Sequence, residues 1–481
     1  MFGWIFDANE MMKKITILAL FLLATSIFSQ EVRLLKGAIT ENLVVNDSLG
    51  ETYSIYLPTS FELSRPWPVV FVFDMKGKGR ASMSMLTNAA EHEGYILAST
   101  DNLNDSLSIA QNVLVANRLC NAVVNTVPIA KNRTYTAGFG SGARFASILP
   151  TFIKEIDGVI SIGASVGNVE ILNPEQMFHF IGIVNRSDYN FRDMLEVRKV
   201  LDRLKFPNEL LVYDGEQMLP DTDVISSALR MLTLNNIAKG QIKRNDSLIV
   251  DSYNQLMAKA NSFLSNDRPM LAHYWLSDID RVFNPLIDLD SLKTTQKILR
   301  RSSVFKQANR SQNNYFLKES FTKEDYSYYL EEDILTYNYA NLGWWKYQME
   351  ELTKLDKSAV LYESQMASRL RGYINALIAD NIDFIVAAKV VDFEALNFLY
   401  MLKTITSPAE YTSYLKVISN SSKIEDYGTA LFYLEELLKH GYADKKELYA
   451  LEHTALLRIT PEFNELVEKY LKDARYDIIQ Q

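Results

Sequence analysis

Gly138-Phe139-Gly140-Ser141-Gly142 stands between a strand-like run, Arg133-Thr134-Tyr135-Thr136-Ala137, and a helix-like run that continues Ala143-Arg144-Phe145-Ala146-Ser147. Glycines at alternate positions between a strand and a helix describe a reversal too sharp for ordinary side chains. Such a turn brings the end of the strand against the first turn of the helix. Its two outer positions must therefore be small, and Gly138 and Gly142 meet that need. The apex of the turn projects away from both elements. Here the apex is Gly140, which has nothing to project.

Working outward, apolar runs of strand length recur at 68–74, 95–99, 135–137, 158–162, 178–184 and 209–213. Continuous apolar runs predict strands buried on both faces of a parallel sheet. Helical patterns lie between them at 105–127 and 190–204, and this alternation predicts a doubly wound α/β domain over 31–238. The segments 42–46 and 51–57 alternate apolar with polar residues and predict an antiparallel entry to the sheet. Polar composition at 238–245 marks a linker, and beyond it strand signals vanish. A helical period takes over: Leu256, Ala260, Phe263 and Leu264 share one face, and Leu271, Tyr274, Trp275, Ile279 and Phe283 share the next. Thr460-Pro461 opens the last helix with a cap and a proline at its first position. An all-helical domain over 245–481 follows. Its helix pairs resemble tetratricopeptide-type or other α-solenoid repeats, but no register of roughly 34 residues runs through them, and an irregular helical bundle stands beside that reading.

The stretch 31–235 resembles the esterase-like, dienelactone-hydrolase-like branch of the α/β-hydrolases. The matching residues are Val70 to Asp74 before a loop carrying Gly77 and Gly79, then Tyr135 to Arg144, Gly182 to Asp188 and Val212 to Pro220. The resemblance implies that 138–142 is a nucleophile elbow, where the family sets a serine between two small residues. Carried over by position, the nucleophile falls on Gly140, the acid on Asp188 and the base on Gln217. Two of those three positions depart from the pattern. The fallback nucleophile is Ser141, but its flanks would be Phe139 and Ala143, and Phe139 is too large for the tight side of the turn.

Hydrolase chemistry needs what these positions lack. A hydroxyl is a poor nucleophile until an imidazole takes its proton, and glutamine cannot carry a proton between steps. The chain has five histidines, His92, His179, His273, His440 and His453, and none follows the last sheet strand within the hydrolase-like segment. Loss of the serine or the histidine from such a unit costs about 10⁶ in turnover. The expected function is non-catalytic: an α/β-hydrolase-like protein that binds a ligand or holds protein partners through its helices, with a Ser141-dependent ester hydrolase as the alternative.

Met12-Lys13-Lys14 followed by an apolar stretch at 15–28 reads as a signal peptide, so 1–29 are expected to be upstream residues and leader. No cysteine lies near its end, which argues against a lipoprotein anchor, and a periplasmic or secreted protein is expected. The single cysteine, Cys120, excludes an internal disulfide. A net charge of −9 without basic blocks argues against nucleic acid, and no later segment is apolar enough to span a membrane. No metal-ligand cluster or cofactor fingerprint occurs in the sequence, and neither a metal nor a cofactor is expected. The partners expected are envelope proteins or a small ligand, peptide or glycan. Tyr337, Tyr339, Trp344 and Trp345, within an aromatic-rich stretch that begins at Tyr326, are the candidate binding residues, against an alternative role as aromatic core between helices. Asp47, Asp105, Asp246 and Asp290 each open an Asp-Ser-Leu triplet. The triplet resembles the sites at which some bacteria O-glycosylate exported proteins, and equally serves as a turn or helix start.

Overall fold

The computed structural model describes residues 34–46, 48–215 and 219–475. The signal-peptide reading of 1–29, Asp47 and Gln217 lie outside the described residues. Two compact units meet in sequence at Asp157 and Gly158.

The first unit contains β1 (Ile39–Asn46), β2 (Glu51–Tyr56), β3 (Trp67–Phe73), β4 (Ile96–Ser99) and β5 (Ile129–Phe139), ordered β1-β2-β4-β3-β5 across the sheet. β2 is antiparallel to both β1 and β4, whereas β3 is parallel to β4 and β5. The side-chain pattern follows that change. Every residue of β3 is buried, as its unbroken apolar run predicts, while on β1 Leu43 points inward and Val44 is exposed. The helices are α1 (Gly79–Ser84), α2 (Thr87–Glu93), α3 (Ile109–Thr126) and α4 (Ser141–Ile148). α3 begins with a capping box, in which Ser108 Oγ accepts from the Gln111 amide and Gln111 Oε1 accepts from the Ser108 amide. Its buried face carries Val115, Leu119, Val123 and the lone Cys120.

The second unit opens with three parallel strands in the order β6 (Gly158–Ile162), β7 (His179–Asn185), β8 (Asn208–Tyr213), buried along their whole length. α5 (Phe191–Arg203) joins β7 to β8, and α6 (Thr222–Ala238) comes after β8. From there the described chain is helical: α7 (Asp246–Ser265), α8 (Pro269–Phe283), α9 (Asp290–Arg301), α10 (Ser303–Thr336), α11 (Leu342–Asp356), α12 (Leu361–Val386), α13 (Phe393–Thr406), α14 (Tyr411–Lys423), α15 (Tyr427–Lys439), α16 (Lys445–Ala450) and α17 (Pro461–Leu471). Neighbouring helices pack in sequence, as in repeat arrays, yet their lengths run from 6 to 34 residues and set no common period. Thr460 caps α17 through the Phe463 amide, with Pro461 at its first position. None of the described helices is long and apolar enough to cross a membrane.

The boundary expected at 238–245 lies inside this second unit. The polar residues there form a surface turn between α6 and α7, but the core continues past it. Trp275 of α8 is buried and its indole N–H donates to the Val212 carbonyl of β8 at 2.8 Å. Arg281 of α8 holds Asp202 at the end of α5 through bonds of 2.6 and 2.8 Å.

Candidate functional site

The elbow is built by β5 and α4. Gly140 caps α4 with φ 52° and ψ −116°, a left-handed conformation that strains any residue with a side chain. The outer glycines are fixed by contact. A Cβ on Gly138 would lie 2.4 Å from the Gly142 carbonyl carbon, and one on Gly142 would lie 2.2 Å from the Phe73 carbonyl oxygen of β3. Thr136 Oγ1 ties strand to helix by donating to the Ala146 carbonyl at 2.9 Å. A Cβ on Gly140, by contrast, would meet nothing within 4 Å. The frame is therefore tight at its flanks and open at its apex. Ser141 is the exposed first residue of α4, one step beyond that apex.

In the loop after β3, whose Gly77 and Gly79 the sequence marks, Asp74 has a role the sequence reading missed. Asp74 Oδ1 accepts from the amides of Lys76 and Lys78 at 2.8 and 3.1 Å, and Oδ2 accepts from Ser82 Oγ at 3.3 Å. In hydrolases of this fold a loop amide at this position helps bind the oxyanion. Here two of the loop's amides point at a carboxylate of the same loop. The Asp-x-Lys spacing of Asp74 and Lys76 is the turn signal that marks it.

In the second unit, Asp188 sits in the loop between β7 and α5, 8% exposed. Its Oδ1 accepts from the Asn190 amide at 2.8 Å and its carbonyl accepts from the Phe191 amide, so it shapes the turn into α5. Burial, with the charges of Asp188 and Asp221, pushes the Tyr213 hydroxyl's pKa up. Next to it lies a buried network that the sequence reading missed. Arg186, 2% exposed at the end of β7, reaches Asp214 after β8 at 3.5 Å and Gln312 of α10 at 3.1 Å. Gln365 of α12 donates to the other oxygen of Asp214 at 2.9 Å. Arg369 of α12 is also 2% exposed; it donates to the Arg186 carbonyl and to Glu319 of α10, both at 2.7 Å. Burial pulls the pKa of Arg369 below its ordinary value, against the attraction of Glu319. The signal in the sequence was a charge placed on the apolar face of each of two long helices, Glu319 and Arg369.

The histidines are placed elsewhere. His179 is buried in β7, where its Nε2 pairs with the Glu209 carboxylate, and His92 is exposed on α2. His440 bonds the Glu436 carbonyl, and His273 is on α8.

The aromatic residues separate into two kinds. Trp345 is fully buried, with its indole N–H on Asp333 at 2.8 Å, in a core with Tyr326, Met349 and Leu370. Its expected role as a surface anchor gives way to that of a core residue, because no face of the ring reaches solvent. Trp344 is half-buried against Trp345 and Tyr329, with ring centroids 4.8 and 4.9 Å away. Tyr337 and Tyr339 are partly exposed, and their hydroxyls donate to the Asp392 carboxylate and the Glu394 carbonyl, both at 2.9 Å. Of the Asp-Ser-Leu triplets, Asp246 and Asp290 are the first residues of α7 and α9, and Asp105 lies in the loop before α3.

The order of the first five strands, the antiparallel second strand and the elbow after the fifth define the α/β-hydrolase fold. No protein-family model and no curated protein matches the sequence. Among solved structures, the chain is similar to a ferulic acid esterase at 13% identity, covering 40% of this chain and 95% of that one with a TM-score of 0.31. It is similar to Thermogutta terrifontis esterase 2 at 12% identity, with coverages of 42% and 95% and a TM-score of 0.34. Esterase B from Lactobacillus rhamnosis is matched at 11% identity over 49% of this chain and 100% of that one, with a TM-score of 0.35.

Proposed function

We propose that this is an exported α/β-hydrolase-like protein that does no hydrolysis and acts by binding, through its helical region, a partner protein of the cell envelope or a small ligand, peptide or glycan. The observation that carries the reading is Gly140. It stands at the apex of an elbow whose flanks admit only glycine, with open space where a nucleophile would project and no atom to fill it. The ends of β7 and β8 support it, since Arg186 and Asp214 there are held by Gln312, Gln365 and Arg369 in a buried polar network. On the helical side, Tyr337, Tyr339 and Trp344 offer partly exposed rings, and Trp345 backs Trp344 from the core.

The test is chemical. The purified mature protein should show no labelling by a fluorophosphonate probe and no turnover of short-chain aryl esters above a Ser141→Ala control. Labelling that vanishes in Ser141→Ala would establish a displaced nucleophile and overturn the proposal.

A further inference from the structure

A cavity of about 520 Å³ opens between α5, α8 and α10, within the range of small-ligand sites. Its lining includes the apolar Leu195, Tyr274 and Phe316, and the cations Arg192, Arg198 and Lys199 against the carboxylates Glu196 and Asp202. The carboxylates in and beside it are already matched. Glu196 pairs with Lys199 at 2.8 Å, Asp202 with Arg281 at 2.6 Å, and the fully buried Asp278 with Arg198. Arg192 is not matched. Its Nη1 donates to the Phe316 carbonyl at 2.9 Å, and among the described residues it has no carboxylate partner. Arg300, near the cavity, bonds only Gln296 and is likewise without an acidic partner among the described residues.

His273 lines the same cavity, its ring tilted against Tyr274 at 5.9 Å and edge-on to Phe305 at 5.1 Å between centroids. Neither of its ring nitrogens has a hydrogen-bond partner among the described residues. Asn313 of α10 also lines the cavity with its amide unbonded among the described residues. Gln312, beside it, is held in place by Arg186 and by the Tyr274 hydroxyl at 2.9 Å. A guanidinium with one donor on the Phe316 carbonyl, an imidazole and an amide thus line one cavity with aromatic rings.

We infer that this cavity binds a small anion, a carboxylate or phosphate monoester, carried on an apolar body, with Arg192, His273 and Asn313 on the charged end and Phe316 and Tyr274 on the apolar end. The inference stands apart from whether the elbow is inert. Burial first, then the positive charges of Arg300 and Arg198, hold the pKa of His273 below its ordinary value. A bound anion reverses that balance and draws a proton onto the ring.

The experiment is a titration of the full mature chain with phenyl phosphate and with benzoate, followed by calorimetry and by the histidine ring signals in NMR. Phenol and inorganic phosphate serve as the apolar and anionic halves. One or both aryl anions should bind with a Kd of the order of 1 mM, as expected for about ten heavy atoms. Which of them binds better separates a phosphate from a carboxylate site, and either result supports the proposal. Phenol and inorganic phosphate should each bind at least about tenfold more weakly. Arg192→Gln should weaken the aryl anion about tenfold or more, while Arg192→Lys retains part of it. The His273 pKa should rise on binding. Should Arg192→Gln fail to fold, Asn313→Trp fills the cavity from an exposed lining position and should abolish binding. Equal binding of phenol, an unchanged His273 pKa, or no saturation by either aryl anion would overturn the inference.

Discussion

The elbow of the first unit and the strand ends of the second are built in opposite ways. At 138–142 the backbone is tight at its flanks and open at its apex, since Gly138 and Gly142 are compelled by 2.4 and 2.2 Å approaches while Gly140 faces open space. At the ends of β7 and β8, polar residues are tied into turns and helices. Asp188 shapes a turn, and Arg186 and Asp214 bind helices of the same unit. The first region is open at one residue. The second carries a load shared among Arg186, Asp214, Gln312, Glu319, Gln365 and Arg369. The difference predicts that substitutions in the two regions will fail on different scales.

The largest effect should come from the shared load. Arg369→Ala leaves Glu319, which is fully buried, with only Lys323 at 3.0 Å, and frees the Arg186 carbonyl. Unfolding measured in urea should show a loss of about 3–5 kcal/mol, the range for breaking a buried ion pair from one side. The double variant Arg369→Met, Glu319→Leu should recover much of it, because no buried charge is left unmatched. A loss under 1 kcal/mol for Arg369→Ala would mean that the network is solvated and the contrast false. Gly142→Ala should follow at about 3 kcal/mol, the upper part of the overpacking range, since its Cβ meets the Phe73 backbone and not a side chain that can swing away.

Both regions were unevenly legible in the sequence. The strands of the sheet, the antiparallel entry and the elbow were readable because each rests on local signals, namely apolar runs, alternation and glycines at fixed spacing. The buried network was not, because its members are separated by up to 183 residues, as in Arg369 with Arg186, and no local period links them. Trp345 shows the same limit. An aromatic cluster reads alike whether its rings face solvent or core, and only the packing of α10 against α11 and α12 placed Trp345 inside and left Tyr337 at the surface.

A third measurement tests how deeply charge is tied into the second unit. Asp278 on α8 is fully buried, pairs with Arg198 and accepts from the Leu210 amide of β8, and burial pushes its pKa up to about 7 against the pull of Arg198. A carboxyl with a raised folded pKa binds its proton more tightly when folded. Its contribution is full below the unfolded value near 4 and is lost as pH rises towards 7. The wild type should therefore lose on the order of 2–3 kcal/mol across that window through this group, and Asp278→Asn should flatten the slope. An unchanged slope would show that Asp278 stays ionised throughout.

Gly140→Ser should be the mildest substitution and the sharpest trial of the comparison. The new side chain meets open space, so its effect is confined to backbone strain at φ 52°, about 1–2 kcal/mol. The elbow would then carry a serine in the family's register. It should nonetheless remain unlabelled by fluorophosphonates and turn over no aryl ester, because no histidine stands in the 214–238 stretch after β8 to take its proton, and a serine without its base is a weak nucleophile. Folding retained with chemistry absent is the signature of a frame that has lost more than one atom. Rapid labelling of Gly140→Ser would show instead that the base had survived elsewhere and that a single side chain separates this protein from a hydrolase.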